Sequence, residues 1–194
     1  MIILGINGSP RKGGNTELLL DRALRGAEKA GAVCEKINLG EIKFSPCLSC
    51  KNAKKTGECI INDEMKAVFQ AIKRADGVIM ASPVYFGSVS AQMKMMIDRF
   101  QCYWAAIYQH KTLKPGAARP GIFLCAAAGE NKSFFENARS VIRNLFVTLN
   151  VSYSGELFCA GLEAKGDVLK RKDYLEKAEK AGFDLVFGYK KEVK

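Results

Sequence analysis

The chain has 194 residues, 48% hydrophobic and 26% charged, the balance of one globular domain with a full core spanning 1–194. No apolar run reaches membrane-span length, and Met1 leads into an apolar segment with no basic stretch before it, so a cytoplasmic protein with no membrane partner is expected. The net charge of +10 comes from Lys and Arg scattered over helical segments without interleaved aromatics, which disfavours nucleic acid and suits a phosphorylated small molecule.

Ile2-Ile3-Leu4-Gly5-Ile6 reads as a buried strand over 2–7, and Gly8-Ser9-Pro10-Arg11-Lys12-Gly13-Gly14-Asn15-Thr16 leads from it into a helix over 16–30. Strand, donor-rich loop and helix N-terminus form an anion-binding arrangement, in which backbone N–H groups and the positive end of the helix dipole converge. It is not a Walker A loop: Gly14 stands where the lysine belongs and Asn15 where Ser or Thr belongs, which argues against a kinase or GTPase. Nor is it a dinucleotide fingerprint, since Gly5 and Gly8 are misplaced and Pro10 fills the next glycine slot. A terminal monophosphate suits it; a plain polar strand-to-helix turn is the alternative.

The remaining elements alternate. Strands are expected at 32–38, 77–82, 120–126 and 155–159. Helices are expected near 63–75, near 89–107, from a capping box at Ser133-Phe134-Phe135-Glu136 through Leu149, and near 173–188. Five strands alternating with five helices imply a doubly wound parallel sheet covered on both faces. Ligands of such sheets bind beyond the carboxyl ends of the strands, which selects the loops 8–16, 82–90 and 126–132. In the second, Ser82-Pro83-Val84-Tyr85-Phe86-Gly87-Ser88-Val89-Ser90, an exposed Tyr-Phe pair needs something flat to pack on it, unless both rings close the core.

Taken together, 8–16, Ala75-Asp76, Ser82–Phe86, Ser90-Ala91-Gln92-Met93-Lys94 and Asp98-Arg99 resemble the NADPH-dependent FMN reductase family, a branch of the flavodoxin-like fold. The resemblance runs over almost the whole chain in order and spacing. It implies that Ser9, Arg11, Asn15 and Thr16 hold the FMN phosphate, with Lys12 and Gly14 bordering it. Pro83, Val84, Tyr85, Phe86 and Gly87 would lie along the isoalloxazine, and the third loop, with Ala128 and Gly129, would complete the ring pocket. It further implies hydride transfer from NAD(P)H to FMN, then electron delivery to a quinone, free flavin or another redox protein, with no side chain required as acid or base. Lone His110 reads as a solvated loop residue. A homodimer or higher homo-oligomer is expected, with Tyr103, Trp104 and Tyr108 as interface residues. An iron–sulfur flavoprotein-like electron carrier and a flavin-free sensor or interaction protein on the same fold are the rival readings.

The stretch 45–59 resembles the compact cysteine motif of the iron–sulfur flavoproteins in this family. Cys47, Cys50 and Cys59 match its first, second and fourth ligands, but Ala53 stands at the third. A cluster takes four thiolates, zinc also prefers four ligands, and His110 is remote in sequence. The three cysteines therefore read as a redox-active or remnant thiol group. An iron–sulfur cluster, completed by a cysteine from elsewhere or by a non-protein ligand, is less favoured, zinc or another metal less still, and no metal ligands are assigned. Lys51, Lys54 and Lys55 would lower the thiol pKa values. The other four cysteines, Cys34, Cys102, Cys125 and Cys159, lie in apolar contexts and read as reduced thiols.

Overall fold

The computed structural model describes residues 1–50, 53–131 and 133–192. Along the chain run β1 (Ile2–Asn7), α1 (Asn15–Lys29), β2 (Val33–Asn38), α2 (Ala53–Thr56), α3 (Met65–Arg74), β3 (Gly77–Tyr85) and β4 (Ser88–Val89). Then come α4 (Ala91–Arg99), α5 (Gln101–Trp104), a π-helical turn (Ala105–Gln109), β5 (Arg119–Ala126), α6 (Ser133–Thr148), β6 (Val151–Cys159), a 3-10 turn (Asp167–Lys170) and α7 (Lys172–Glu192). The five expected strands pair in parallel in the order β2-β1-β3-β5-β6. This is the flavodoxin-like order, whose direction of winding reverses between β1 and β3.

Burial explains the strand sequences. Residues 3–7 of β1, 77–83 of β3 and 120–126 of β5 are buried without a break, as strands covered on both faces must be. The edge strands β2 and β6 carry half-buried and exposed positions throughout. On one face α1 and α7 pack Leu19, Leu20, Ala23, Leu175, Ala178 and Val186 against Ile3, Ile79 and Leu124. On the other, α3, α4 and α6 bring Val68, Met93, Met96, Ile142 and Phe146 onto Leu4, Met80 and Phe123.

Three sequence expectations need correction. The strand expected at 77–82 continues to Tyr85 and doubles back as β4, antiparallel, with Val84 opposite Val89 and Tyr85 opposite Ser88, so the sheet has six strands. The helix expected over 89–107 is broken at Phe100 and widens into a π-helical turn closed by His110 N–H to the Ala105 carbonyl at 2.8 Å. The capping box at Ser133 does not form: both its N–H (3.0 Å) and its hydroxyl (2.9 Å) donate to Asn131 Oδ1. An Asx turn has displaced the Ser–Glu exchange.

The α1–α7 contact is unusually close. A Cβ on Gly26 would run into the Glu179 carbonyl, and one on Gly182 into the Ala23 carbonyl. Gly26→Ala and Gly182→Ala should each destabilise the fold by about 1–3 kcal/mol through overpacking, although alanine is the better helix former by about 1 kcal/mol. Urea denaturation checks this; an unchanged or raised midpoint would mean that the helices part freely.

Candidate functional site

The carboxyl ends of β1 and β3 meet at the reversal point, and a small hydrogen-bond system fixes them there. Gly8 N–H donates to the Ala81 carbonyl at 2.8 Å. The fully buried Ser90 hydroxyl donates to the Gly8 carbonyl at 2.6 Å and accepts the Met93 N–H at 3.2 Å, capping α4. Ser90 N–H in turn donates to Ser82 Oγ at 3.0 Å. Only glycine fits at position 8, because a Cβ would stand 2.9 Å from Met93 Cβ.

The first loop divides its groups into those that hold its shape and those left open. Asn15 belongs to the first class. Its Nδ2 donates to the Ala164 carbonyl at 2.8 Å and the Leu162 carbonyl at 3.4 Å, and its Oδ1 accepts Val168 N–H at 3.1 Å. The Asn15 side chain, expected at the phosphate, has its donors and acceptor engaged in pinning the 162–168 segment beside the loop. Ser9 Oγ closes a local turn with Arg11 N–H at 3.2 Å. Glu17, which the motif reading passed over, accepts the Gly13 N–H at 2.6 Å and pairs with Lys36 at 3.0 Å. Burial pushes the Glu17 carboxyl up, but the bonds from Gly13, Lys36 and Asn38 outweigh it and hold the group below its ordinary value.

The open groups lie at the start of α1. Its N-cap is Gly14, which has no side chain to offer. No described residue accepts the N–H groups of Asn15, Thr16 and Glu17. The Thr16 hydroxyl, on a residue only 2% exposed, likewise has no hydrogen-bond partner among the described residues. A Cβ on Gly14 would press on the Arg11 carbonyl at 2.9 Å, so no capping residue can take its place without reshaping the loop. Positive charge surrounds this end. Arg11 Nη1 reaches the Glu163 carbonyl at 3.4 Å, and exposed Lys12 pairs with Glu41 at 3.4 Å. A Cβ on Gly13 would sit 3.6 Å from Lys165 Nζ. No motif pointed to Lys165, since only the fold brings the turn after β6 to this loop.

The second loop is a two-residue hairpin turn. Phe86 (φ 50°) and Gly87 (φ 72°) are both left-handed, the conformation of a type I′ turn, which favours Asn-Gly. Phenylalanine there is strained, and its ring is fully exposed. Strained backbone and an exposed ring thus coincide on one residue. Tyr85 beside it is also exposed, whereas Pro83 is buried in β3 and Val84 half-buried. Asn137 Nδ2 holds the turn through the Gly87 carbonyl at 3.1 Å. In the third loop Ala128 is exposed and Gly129 half-buried, with the Phe134 ring so close that a Cβ on Gly129 would meet it at 2.9 Å. His110 ends the π-helical turn, half-buried.

A second set of groups gathers at the far end of α4. The Arg99 side chain is fully buried and all its donors are engaged. Nε donates to Cys59 Sγ at 3.1 Å, Nη1 to the Ser45 carbonyl and Asp63 Oδ2, both at 2.8 Å, and Nη2 to Asp63 Oδ1 at 3.1 Å and the Ile61 carbonyl at 3.5 Å. Cys34, Cys125 and Cys159 lie elsewhere; burial pushes the Cys34 thiol up to about 11 and that of Cys159 up to about 12. Lys51 and Lys132 lie outside the described residues.

A model of the NADPH-dependent FMN reductase family matches residues 1–160. The chain belongs to this family. Among relatives of this FMN reductase family member, an iron–sulfur flavoprotein of Methanocaldococcus jannaschii is 46% identical over 99 residues, covering 51% of each chain. An iron–sulfur flavoprotein of Clostridioides difficile is 32% identical over 168 residues, 85% of this chain and 68% of the other. In its first relatives the match spans about half of their length, 47–52% in three of them. Solved structures share its fold. A flavone reductase superimposes with a TM-score of 0.76 at 18% identity, covering 98% of this chain and 63% of the other. An FMN-dependent NADH-azoreductase from Bacillus anthracis gives 0.70 at 15% identity, covering 96% and 100%.

Two outcomes follow for the family member's loop frame. Ser90→Ala leaves the Gly8 carbonyl and the Met93 N–H without their partner and should cost about 1–3 kcal/mol, read as a lowered urea midpoint; a loss below a few tenths would mean that other groups fix the loops. Because Glu17 is held below its usual value, its stabilisation is complete above the unfolded carboxylate pKa of about 4.3 and disappears as pH falls through the lowered folded value. Glu17→Gln should therefore be less stable than the parent at pH 7, with the gap closing on acidification; a constant gap would contradict the assignment.

Proposed function

We propose that this chain is an FMN-dependent oxidoreductase that takes electrons from NAD(P)H and delivers them to a quinone, free flavin or redox protein. The observation that carries the reading is the uncapped start of α1, where backbone N–H groups have no acceptor among the described residues, on a loop that carries Arg11 and Lys12 and has Lys165 beside Gly13. Such an end favours a phosphate, and Arg11 adds a side chain able to grip it through two N–H groups. Ser9, Asn15 and Glu17 keep the loop in shape, and the Asn15 and Thr16 amides do the receiving. Tyr85, Phe86 and Gly87 offer a flat, exposed platform for the ring, with Ala128 and Gly129 at its border, while Pro83 and Val84 anchor the hairpin from below. FMN, when bound, supplies acceptance of a hydride and release of electrons singly or in pairs; the chain's part is to bind and orient it.

Family membership supports the reading, as do relatives named as iron–sulfur flavoproteins and an NAD(P)H-dependent FMN-containing oxidoreductase of Bacillus subtilis. Self-association belongs to the same proposal. Trp104 and Tyr108, both 43% exposed, border an apolar groove of about 310 Å³ with Ile97 and Val147, a surface suited to a second copy; Tyr103 is half-buried behind it. Among the described residues no helix is long and apolar enough to cross a membrane.

Titration of flavin-free protein with FMN and with riboflavin tests the reading. FMN should bind at least about tenfold tighter, a difference of about 1.4 kcal/mol, and Arg11→Ala should narrow that gap; equal affinities would overturn the phosphate assignment. Phe86→Asn separates the strain from the ring. Asparagine suits the left-handed turn, so stability should hold or rise by up to about 1 kcal/mol while flavin affinity falls several-fold. Unchanged flavin affinity would remove Phe86 from the site.

A further inference from the structure

The iron–sulfur flavoprotein motif is incomplete in this chain, with Ala53 in place of its third cysteine, yet a fourth thiol stands at the same place in the fold. Cys47, Cys50, Cys59 and Cys102 border one small cavity together with Arg99. Cys102 comes from α5, and its Sγ donates to the Arg99 carbonyl at 3.2 Å. Arg99 Nε donates to Cys59 Sγ at 3.1 Å, so one residue bonds to the sulfurs of both Cys59 and Cys102. We infer that Cys102 supplies the fourth thiolate of an iron–sulfur cluster held by Cys47, Cys50 and Cys59, replacing the missing motif cysteine.

The donor set fits that group. Four soft sulfur ligands and no imidazole select an iron–sulfur cluster or a tetrahedral metal ion. Two of the sulfurs already accept N–H hydrogen bonds that stabilise a thiolate: Cys59 from Arg99, and Cys47 from the Ser49 amide at 3.4 Å. Ser49 adopts a left-handed φ of 54°, which bends the Cys47–Cys50 stretch into a knuckle. A thiol that becomes a metal ligand gives up its proton as the metal–sulfur bond forms.

The cavity holds about 20 Å³, near the room of a single water, and among the described residues no three metal-binding side chains already surround one ion position. Loading therefore requires the loop cysteines to rearrange around a larger group. Cys47, Cys50 and Cys59 all sit on stretches without helix or strand, where such a change disturbs no ladder, while Cys102 and Arg99 stay on the helical frame.

The inference is independent of the flavin reading, because iron, sulfide and FMN are counted separately on one sample. The full chain is reconstituted without oxygen using ferrous iron and sulfide, then assayed for metal content and visible absorption. The expected result is about four iron and four sulfide per chain, most of it lost in Cys102→Ala and Cys102→Ser, retained in Cys125→Ala, and regained in Ala53→Cys/Cys102→Ala. Regain in the double variant shows that the chain folds without Cys102 and that a thiol is what was lost. Full iron and sulfide in Cys102→Ala, no iron in the parent chain, or iron without sulfide would each overturn the inference.

Discussion

One buried hydroxyl sets the geometry on which the candidate flavin cradle depends. Ser90 Oγ joins the end of β1 to the start of α4, and Ser90 N–H joins that start to the end of β3 through Ser82. Three elements that converge at the reversal point are thereby fixed by groups that are fully buried. A bond made there is worth about 1 kcal/mol, whereas a group left unpaired costs about 1–3 kcal/mol, so the arrangement is held more by the penalty of breaking it than by the gain of making it. Gly8 belongs to the same constraint. Its missing side chain lets β1 come within reach of the serine, and its own N–H goes across to Ala81.

The other end of α4 repeats the principle with a charge. Arg99 takes a full positive charge out of water and recovers the cost through Asp63, two carbonyls and a sulfur. A buried pair of this kind adds little net stability, but it fixes what surrounds it, since any rearrangement strands a charge. Here it ties the segment around 45–63 to the helix body. α4 is nine residues long, so its two ends lie about 13 Å apart along the axis. The helix thus acts as a strut whose N-cap positions the loops at the top of the sheet and whose last residue positions the thiols.

What could be read from the sequence follows from how local each signal is. Buried parallel strands announce themselves by unbroken apolar runs, which made β1, β3 and β5 legible, and the glycine-rich stretch 8–16 announced the turn between β1 and α1. The hairpin at Phe86-Gly87 was hidden because a type I′ turn with phenylalanine violates the usual residue preference, and β4 is only two residues long. The break at Phe100 was hidden because the apolar spacing of Met93, Met96, Ile97, Phe100 and Trp104 runs through it. Nothing in the sequence around Cys102 relates it to Cys59; only Arg99, 40 residues from Cys59 in the chain, brings the two together.

Asn15 shows how a motif residue can serve the loop itself. A side chain with the right chemistry at the right place in a phosphate-type motif is engaged with carbonyls some 150 residues away, and the carboxylate of Glu17 occupies an amide of the same loop. The acidic group beside the start of α1 is balanced by Lys36, which lies against it at 3.0 Å. In this loop the side chains of Ser9, Asn15 and Glu17 hold the turn, and the amides at the start of α1 are left uncovered. That division explains why such loops are rich in glycine and asparagine: glycine keeps the amides uncovered, and asparagine can satisfy three backbone groups while leaving its own N–H free.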